Sequence, residues 1–425
     1  MGRSTAAVAC AAVLAAALTG CSSTNSAAKT TSGSSLPPVA QGAFNDHTGV
    51  TANSVTVANI STQTAGLFKG AAVGVEAYAA YVNSQGGING RKIIVNASDD
   101  QFTGATNKQL TEEAVQSDFA TVGSFSTEDS FGGVVLAANP QMPNVSIALD
   151  PATQRLPNTF AAVPPAAFWP LGPLVYFKDK FPTKVLHTAT IVADLPSTLN
   201  LWNYEKAAMD HVGYKVLYSP ALPATTTDFT AQIVTMKDMG VQILFLEQEP
   251  QNYAASIFKD LEEQNFHPIV VLGAAAYSHQ LVANSGGAAN VDGAYLEQQE
   301  ALFLGEDAPA IPAVASFNTW VQKVSPGFTT DFFTLEGWLA AELFGQGLRN
   351  AGSNPSRGSL QEALRKVTSF NGNGLVPTSN PAQKIPSGCY IIGQVVHGTF
   401  QRLDDPPIDG PTHGFRCDQP VYYES

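Results

Sequence analysis

A regular alternation of strand-like and helix-like segments limits the folds available to this chain. Residues 54–60 (SVTVANI) are rich in β-branched side chains, as buried strands are. Residues 68–83 place apolar side chains at helical spacing and are followed by Gly86-Gly87, a helix-stopping pair. Residues 92–97 predict the next strand, and the alternation continues to residue 149. Because strands that alternate with helices pair in parallel, we expect a sheet with helices on both faces.

The same pattern starts again near residue 185. Strands predicted at residues 185–192, 243–246 and 269–272 are separated by segments with helical spacing. The last third of the chain adds three predicted helices and a β-hairpin over residues 390–400, and none of these forms a block of its own. The expected fold class is therefore α/β, with two doubly wound parallel-sheet lobes that the last third completes.

The N-terminus has the features of a secretory signal. Residues 6–18 are apolar, but they are fewer than the roughly 20 residues that a membrane-spanning helix needs. They end in LTGC, which resembles a bacterial lipobox, so residues 1–20 are predicted to be removed and Cys21 to be lipidated. The alternative is an ordinary secretory signal that is cut elsewhere. Residues 21–49 are rich in Ser, Thr and Ala and are predicted to be a flexible tether.

A lipid anchor would hold the protein at the cell membrane, on its extracytoplasmic face. The chain carries 22 basic and 35 acidic residues, for a net charge of −13. Nucleic-acid partners require basic patches, and anionic lipid surfaces attract basic segments, so this charge argues against both. The membrane contact is therefore expected to come from the lipid anchor alone.

Two of the four cysteines, Cys389 and Cys417, lie in the part of the chain that is predicted to fold. In an exported protein such a pair most simply forms a disulfide, although two separate buried thiols are an alternative. Neither cysteine lies in a Cys-x-x-Cys motif, so a metal site is not expected.

The sequence lacks the motifs of the common catalytic sites. There is no Gly-x-Ser-x-Gly, no His-Glu-x-x-His and no glycine-rich phosphate loop, and the seven histidines have no metal-ligand spacing. Asp99-Asp100 and the pair Glu247 and Glu249 are paired acids, which most often belong to solvated loops. We therefore expect a protein that is not an enzyme and has no cofactor or metal.

Several short motifs indicate a family. GGINGRKI at residues 86–93 leads into a strand that is followed by Asp99-Asp100, and TDFT at residues 227–230 follows a later strand. These motifs resemble the leucine/isoleucine/valine-binding family, the type I solute-binding proteins of ABC importers, over residues 50–400. The resemblance implies two lobes that close on a small-molecule ligand, a multi-stranded hinge, and permease subunits of an ABC transporter as partners. The implied boundaries are residues 50–163 and 299–375 for lobe 1, and residues 164–298 and 376–425 for lobe 2.

The resemblance also implies the ligand site. Ser124, Ser126 and Thr127 follow a strand and precede a helix, where backbone N–H groups and a hydroxyl can hold an anionic group. The same residues would equally serve as a helix cap. Ala152 and Thr153 match a second ligand-binding position of the family, and Thr198 and Tyr277 match or adjoin positions in the second lobe.

One position departs from the family pattern. The acid that pairs with a ligand amine in the family is absent from residues 273–277, where Ala275 occupies the turn. Because a buried ammonium without a partner is costly, Glu247 or Glu249 would have to replace it. The sequence thus favours capture and delivery of a branched-chain amino acid or a related carboxylate or amide. The alternatives are a ligand sensor of the same fold, an exported hydrolase, and a structural envelope lipoprotein with an inactive cleft.

Overall fold

The computed structural model describes residues 36–164, 168–223, 225–246, 249–417 and 422–424. The predicted signal, Cys21, the first part of the predicted tether and Glu247 lie outside the described residues.

The N-terminal part of the chain forms a five-stranded parallel sheet with the strand order β2-β1-β3-β4-β5. Its strands are β1 (Ser54–Ser61), β2 (Lys92–Asp99), β3 (Ala120–Val122), β4 (Asn144–Val145) and β5 (Thr159–Phe160). The helices between and beside them are α1 (Lys69–Ser84), α2 (Gly104–Ser117), α3 (Asp129–Ala138) and α4 (Pro151–Arg155). Val55 and Val57 of β1 pack in the core that contains α1, whereas Ala58 and Ile60 pack with α2 and α3. Helices therefore cover both faces, as the sequence predicts.

The second sheet has seven strands in the order β15-β14-β13-β12-β11-β7-β9, and β13 to β9 are parallel. The segments from residue 168 to residue 222 are β6 (Phe168–Pro170), α5 (Leu171–Lys180), β7 (Thr188–Thr190), β8 (Val192–Ala193), α6 (Pro196–Val212), β9 (Val216–Tyr218) and β10 (Ala221–Leu222). Those from residue 230 to residue 298 are α7 (Thr230–Asp238), β11 (Ile243–Leu246), α8 (Gln251–Glu263), β12 (Ile269–Leu272), α9 (His279–Asn284), α10 (Ala288–Val291) and β13 (Tyr295–Gln298).

The last third completes both sheets. It contains α11 (Pro312–Val324), α12 (Phe332–Asn350), α13 (Arg357–Leu364), β14 (Ile391–Val396), β15 (Thr399–Arg402) and β16 (Tyr422–Glu424). The helices α11 and α12 pack against α1 of the first sheet. The strands β14 and β15 form the predicted hairpin and extend the second sheet in antiparallel fashion, while β16 pairs with β6.

Two predicted strands are shorter in the structure. The strand predicted over residues 144–149 ends at Val145. The N–H of Ser146 still donates to the carbonyl of Phe160 in β5 at 2.9 Å, and its Oγ accepts the N–H of Ser124 at 3.0 Å. The strand predicted over residues 185–192 begins as a 3-10 turn, in which the N–H groups of Lys184 and Val185 donate to the carbonyl of Phe181. Regular pairing starts only at β7.

The tether predicted to reach residue 49 is already packed on the protein from residue 39. Val39 and Ala43 are buried, and Asp46 accepts a hydrogen bond from Nη1 of the buried Arg357 at 2.9 Å. The backbone N–H of Arg357 also donates to the Asp46 carbonyl at 2.8 Å. Two apolar side chains and the ion pair between Asp46 and the buried Arg357 thus hold this segment on the protein. The polar composition of residues 21–49 did not indicate this packing.

Three segments of chain cross between the sheets and are bonded to one another. Ser379 Oγ donates to the carbonyl of Ala162 at 2.7 Å, and the N–H of Ala301 donates to the carbonyl of Leu375 at 2.9 Å. The Gln299 side chain donates to Ser387 O at 2.9 Å. The predicted disulfide between Cys389 and Cys417 is present and closes the last of these segments onto the C-terminal residues.

The contact between α1 and α12 depends on glycine. A Cβ atom at Gly337 would clash with the carbonyl oxygen of Ala71 on α1, and one at Gly74 would clash with the carbonyl oxygen of Thr334 on α12. The two helix backbones therefore touch, which fixes the position of α12 on the first sheet.

Gly337→Ala is expected to destabilise the protein by about 1–3 kcal/mol, because the added methyl group must push two helix backbones apart. The free energy of unfolding in urea measures the effect. Gly42→Ala is the matched control, since a Cβ atom there meets nothing within 4 Å. Equal stability of the two variants would contradict the close contact.

Candidate functional site

The loop over residues 124–127 lies at the carboxyl edge of the first sheet, where ligands bind in open parallel sheets. Ser124 joins three strands, because its Oγ accepts the N–H of Ile60 and its own N–H donates to Ser146 Oγ, both at 3.0 Å. Phe125 packs edge to face against Phe68 and Phe333, with ring centroids 4.8 and 5.0 Å apart. This ring cluster ties the loop to the starts of α1 and α12.

Ser126 and Thr127 use their hydroxyl protons inside the protein. The buried Ser126 Oγ donates to Asp100 and accepts from the N–H of Glu128 at 2.9 Å. Thr127 Oγ1 lies 3.4 Å from Oε1 of Glu128, to which it donates. The loop thus faces carboxylates on two sides.

Thr153 on α4 also donates its hydroxyl proton to a carboxylate of the protein. Its Oγ1 donates to Oδ2 of Asp150 at 2.7 Å, and its N–H donates to the same oxygen at 2.8 Å, so Asp150 caps the helix. Asp129 in turn accepts the N–H groups of Leu149 and Asp150, and its burial raises its pKa to about 7. Ala152 lies exposed beside Thr153.

A hydroxyl group has one proton, and Ser126, Thr127 and Thr153 each give theirs to a carboxylate. Ser126 Oγ also accepts from Asn107 Nδ2 at 3.1 Å and from Glu128 N–H, so its hydrogen-bonding capacity is used inside the protein. The role of these hydroxyls toward a ligand stays a prediction.

A small cavity lies behind this loop, between the sheet and the helices α2 and α3. Its volume is about 40 Å³. It is lined by Asn107, Ser124, Ser126, Asp129, Asn144 and Thr153 among others. Such a space holds a few water molecules and is far smaller than ligand pockets, which measure roughly 300–1,000 Å³. The space behind the loop is therefore too small for an organic ligand.

Glu249 connects two loops of the second sheet. It is fully buried, and its Oε1 accepts the N–H of Ala193 at 2.9 Å. Burial raises its pKa to about 7. This buried contact ties Glu249 to β8, and the ligand-pairing role considered for this residue stays a prediction. Thr198 lies in the first turn of α6 and is almost buried, at 8% exposure.

Tyr277 belongs to the core rather than to a pocket wall. It has no exposed surface, and its hydroxyl donates to Oε2 of Glu306 at 2.5 Å. Its ring packs edge to face against Phe303 and Phe400, at centroid distances of 4.9 and 4.8 Å. The apolar neighbours fix it there, so the prediction that it lines the pocket is wrong.

Two buried acids that the sequence analysis missed lie at the junction of the two sheets. Glu300 follows β13 in a crossing segment, and Glu336 lies on α12; each is 4% exposed. Burial raises the pKa of both carboxyl groups, and the charge of Glu300 raises that of Glu336 further. The signal was present in the sequence, because Glu336 is an acid between Leu335 and Gly337 in a strongly apolar helix.

Comparison with known proteins gives the family of this fold. The sequence profile of the family described as periplasmic binding protein matches residues 56–399. The chain belongs to the periplasmic binding protein family. The Leu/Ile/Val-binding protein homolog 7 of Brucella suis is 22% identical over 233 residues, which are 52% of this chain and 58% of that protein. This match thus spans less than two thirds of the relative's length.

Solved structures share the fold over most of their length. A branched-chain amino acid ABC transporter protein from Thermus thermophilus with bound valine has a TM-score of 0.69 at 15% identity, covering 83% of this chain and 95% of that one. A fatty acid ABC transporter substrate-binding protein from Thermomonospora curvata has a TM-score of 0.68 at 18% identity, covering 89% of this chain and 95% of that one. The predicted α/β fold class of this family is confirmed.

The raised carboxyl pKa values predict that stability falls as the pH rises. Asp129 and Glu249 have pKa values of about 7 in the folded protein, because burial raises them above the ordinary range of a carboxyl group. Each therefore stabilises the fold fully below its unfolded pKa and loses that contribution as the pH rises through the folded value. We expect a lower urea midpoint at pH 8 than at pH 5.

Glu249→Gln is the matched variant for this experiment. It removes one titrating group and keeps the shape of the side chain, so the difference between the midpoints at pH 5 and pH 8 is expected to shrink. A midpoint that is higher at pH 8 in the unmodified protein would contradict the assignment.

Proposed function

We propose that this protein is an extracytoplasmic, lipid-anchored solute-binding protein of an ABC importer. It captures a small organic ligand between its two sheets and delivers it to the permease subunits. The observation that carries the proposal is the arrangement of two parallel-rich sheets joined by three bonded crossing segments, in a member of the periplasmic binding protein family. Such proteins close on a ligand by hinge motion.

The attachment to the membrane is proposed from the lipobox-like LTGC sequence. Lipidation of Cys21 would place the chain on the outer face of the cell membrane, and the residues between Cys21 and the packed segment at residue 39 would provide reach. In the part of the chain that the structure describes, no helix is both long and apolar enough to cross a bilayer.

The proposed ligand is a small organic molecule such as a branched-chain amino acid or a related carboxylate or amide. The valine in the Thermus thermophilus structure and the fatty acid in the name of the Thermomonospora curvata protein support a ligand with an apolar body. The cluster of Phe68, Phe125 and Phe333 beside the 124–127 loop is compatible with such a body.

Binding can be tested with the full-length protein. We expect a small molecule to be released on denaturation of protein purified from its own membrane, identifiable by mass spectrometry, and to rebind to the stripped protein with one molecule per chain in calorimetric titration. Recovery of no molecule, and no binding of the small organic solutes named above, would contradict the proposal.

A pair of tryptophan variants tests the place of the site. Ala152→Trp adds a bulky side chain at an exposed position of α4, at the carboxyl edge of the first sheet, and is expected to weaken binding at least tenfold. Ala138→Trp, equally exposed at the other end of the neighbouring α3, is the control and should bind normally. Equal binding by both variants would place the ligand elsewhere.

A further inference from the structure

We propose that Glu300 and Glu336 form the subsite for a positively charged group of the ligand, an ammonium or an amidinium. This inference rests on the proposed function and specifies the class of ligand. It moves the cation-binding acid from the turn where the family resemblance places it to the junction of the crossing segment and α12.

The backbone around Glu300 is held by hydrogen bonds, whereas one oxygen of its carboxyl group has no partner among the described residues. Gln298 Nε2 donates to the carbonyl oxygens of Glu300 and Ala301, both at 3.0 Å, and the N–H of Ala301 donates to Leu375 on another crossing segment. These bonds hold the segment in place. Oε2 of Glu300 has no hydrogen-bond partner among the described residues, and neither does Oε1 of Gln298.

Glu336 approaches the same region from the first sheet. Neither of its carboxyl oxygens has a hydrogen-bond partner in the described part of the chain, although the residue is 96% buried. The next residue, Gly337, lies against the backbone of α1, so the helix cannot move Glu336 away without losing that contact. The α12 helix also contacts the turn Ala274–Ala276, which contains the alanine that replaces the family's acid.

The buried oxygens lack donors. Gln298, Glu300 and Glu336 together present four buried oxygens that have no hydrogen-bond partner among the described residues. Burial raises the pKa of both carboxyl groups, which favours their neutral forms in the empty protein. A group that brings both positive charge and N–H donors would satisfy these oxygens and stabilise the ionised acids.

Two other occupants fit the cluster less well. A ligand carboxylate would meet two acids of the same sign, which disfavours it. A metal ion needs several converging ligands, and no group of three or more His, Cys, Asp or Glu side chains suited to a metal occurs among the residues described. An organic cation needs only the two acids and a nearby amide oxygen.

Three probes with the same isobutyl body separate these charges: 3-methylbutylamine, L-leucine and 4-methylpentanoate. Calorimetric titration of stripped protein at pH 7.5 is expected to show binding of the amine and at least tenfold weaker binding of the carboxylate. Glu336→Gln and Glu300→Gln should each weaken amine binding at least tenfold. Glu342→Gln, on the same helix six residues further along, is the control and should bind normally.

The outcomes distinguish this inference from the proposed function. Binding of 4-methylpentanoate without binding of the amine or of leucine overturns the inference and leaves the proposed function in place. If leucine binds and the amine does not, unchanged leucine affinity in both Glu300→Gln and Glu336→Gln overturns it. Unchanged amine affinity in both Glu300→Gln and Glu336→Gln also overturns it, even if the variants melt at higher temperature, because the acids would then be a protonated pair without a ligand.

If none of the three probes binds, the molecule that co-purifies decides. A cationic molecule whose affinity Glu336→Gln lowers tenfold supports the subsite, and an anionic or neutral one overturns it. If no molecule co-purifies either, both the inference and the proposed function fail.

Discussion

The direct contact between the backbones of α1 and α12 organises much of this protein. Gly74 and Gly337 remove the side chains that would separate the two helices, so a helix from the last third of the chain becomes part of the first sheet's core. The chain must therefore return from the second sheet to the first before it is complete. The crossing segments follow from this requirement, and so does the position of Glu336 between the sheets.

The candidate residues differ in whether their hydrogen bonds are made inside the protein. On the first sheet, serine and threonine hydroxyls that could hold an anion are already committed to Asp100, Glu128 and Asp150. At the sheet junction, Glu300 and Glu336 have oxygens without donors. Buried oxygens without donors are costly unless something positive, or rich in N–H groups, arrives from outside. Ligand binding and stability are therefore linked. Buried acids without partners lower the stability of the empty protein, and a ligand that pairs with them would raise it.

The sequence predicted those helices and strands whose buried residues are also apolar and regularly spaced. Strands β1, β11 and β12 lie where runs of β-branched or apolar residues placed them, and α12 follows its helical spacing. Strand β13 was missed because its polar residues Glu297 and Gln298 are buried at the junction, so no apolar pattern marks it. Helix α5 was missed because it is short and contains Pro173.

Sequence reasoning could place the candidate residues along the chain but not the direction of their hydrogen bonds. Sequence reasoning placed Ser126, Thr127 and Thr153 after strand ends, and the structure has them there. The direction of their hydrogen bonds depends on acids that come close only in the fold, and that could not be inferred from spacing. The burial of Tyr277 and Glu249 likewise depends on neighbours distant in sequence, such as Phe400 and Ala193.

We propose that the two sheets enclose a ligand and move relative to each other when it binds. Small-angle X-ray scattering of the stripped protein, before and after saturation with the molecule that co-purifies, tests it most directly. We expect a smaller radius of gyration in the loaded protein, because the crossing segments would act as a hinge. Superimposable scattering profiles at full occupancy would contradict capture by closure.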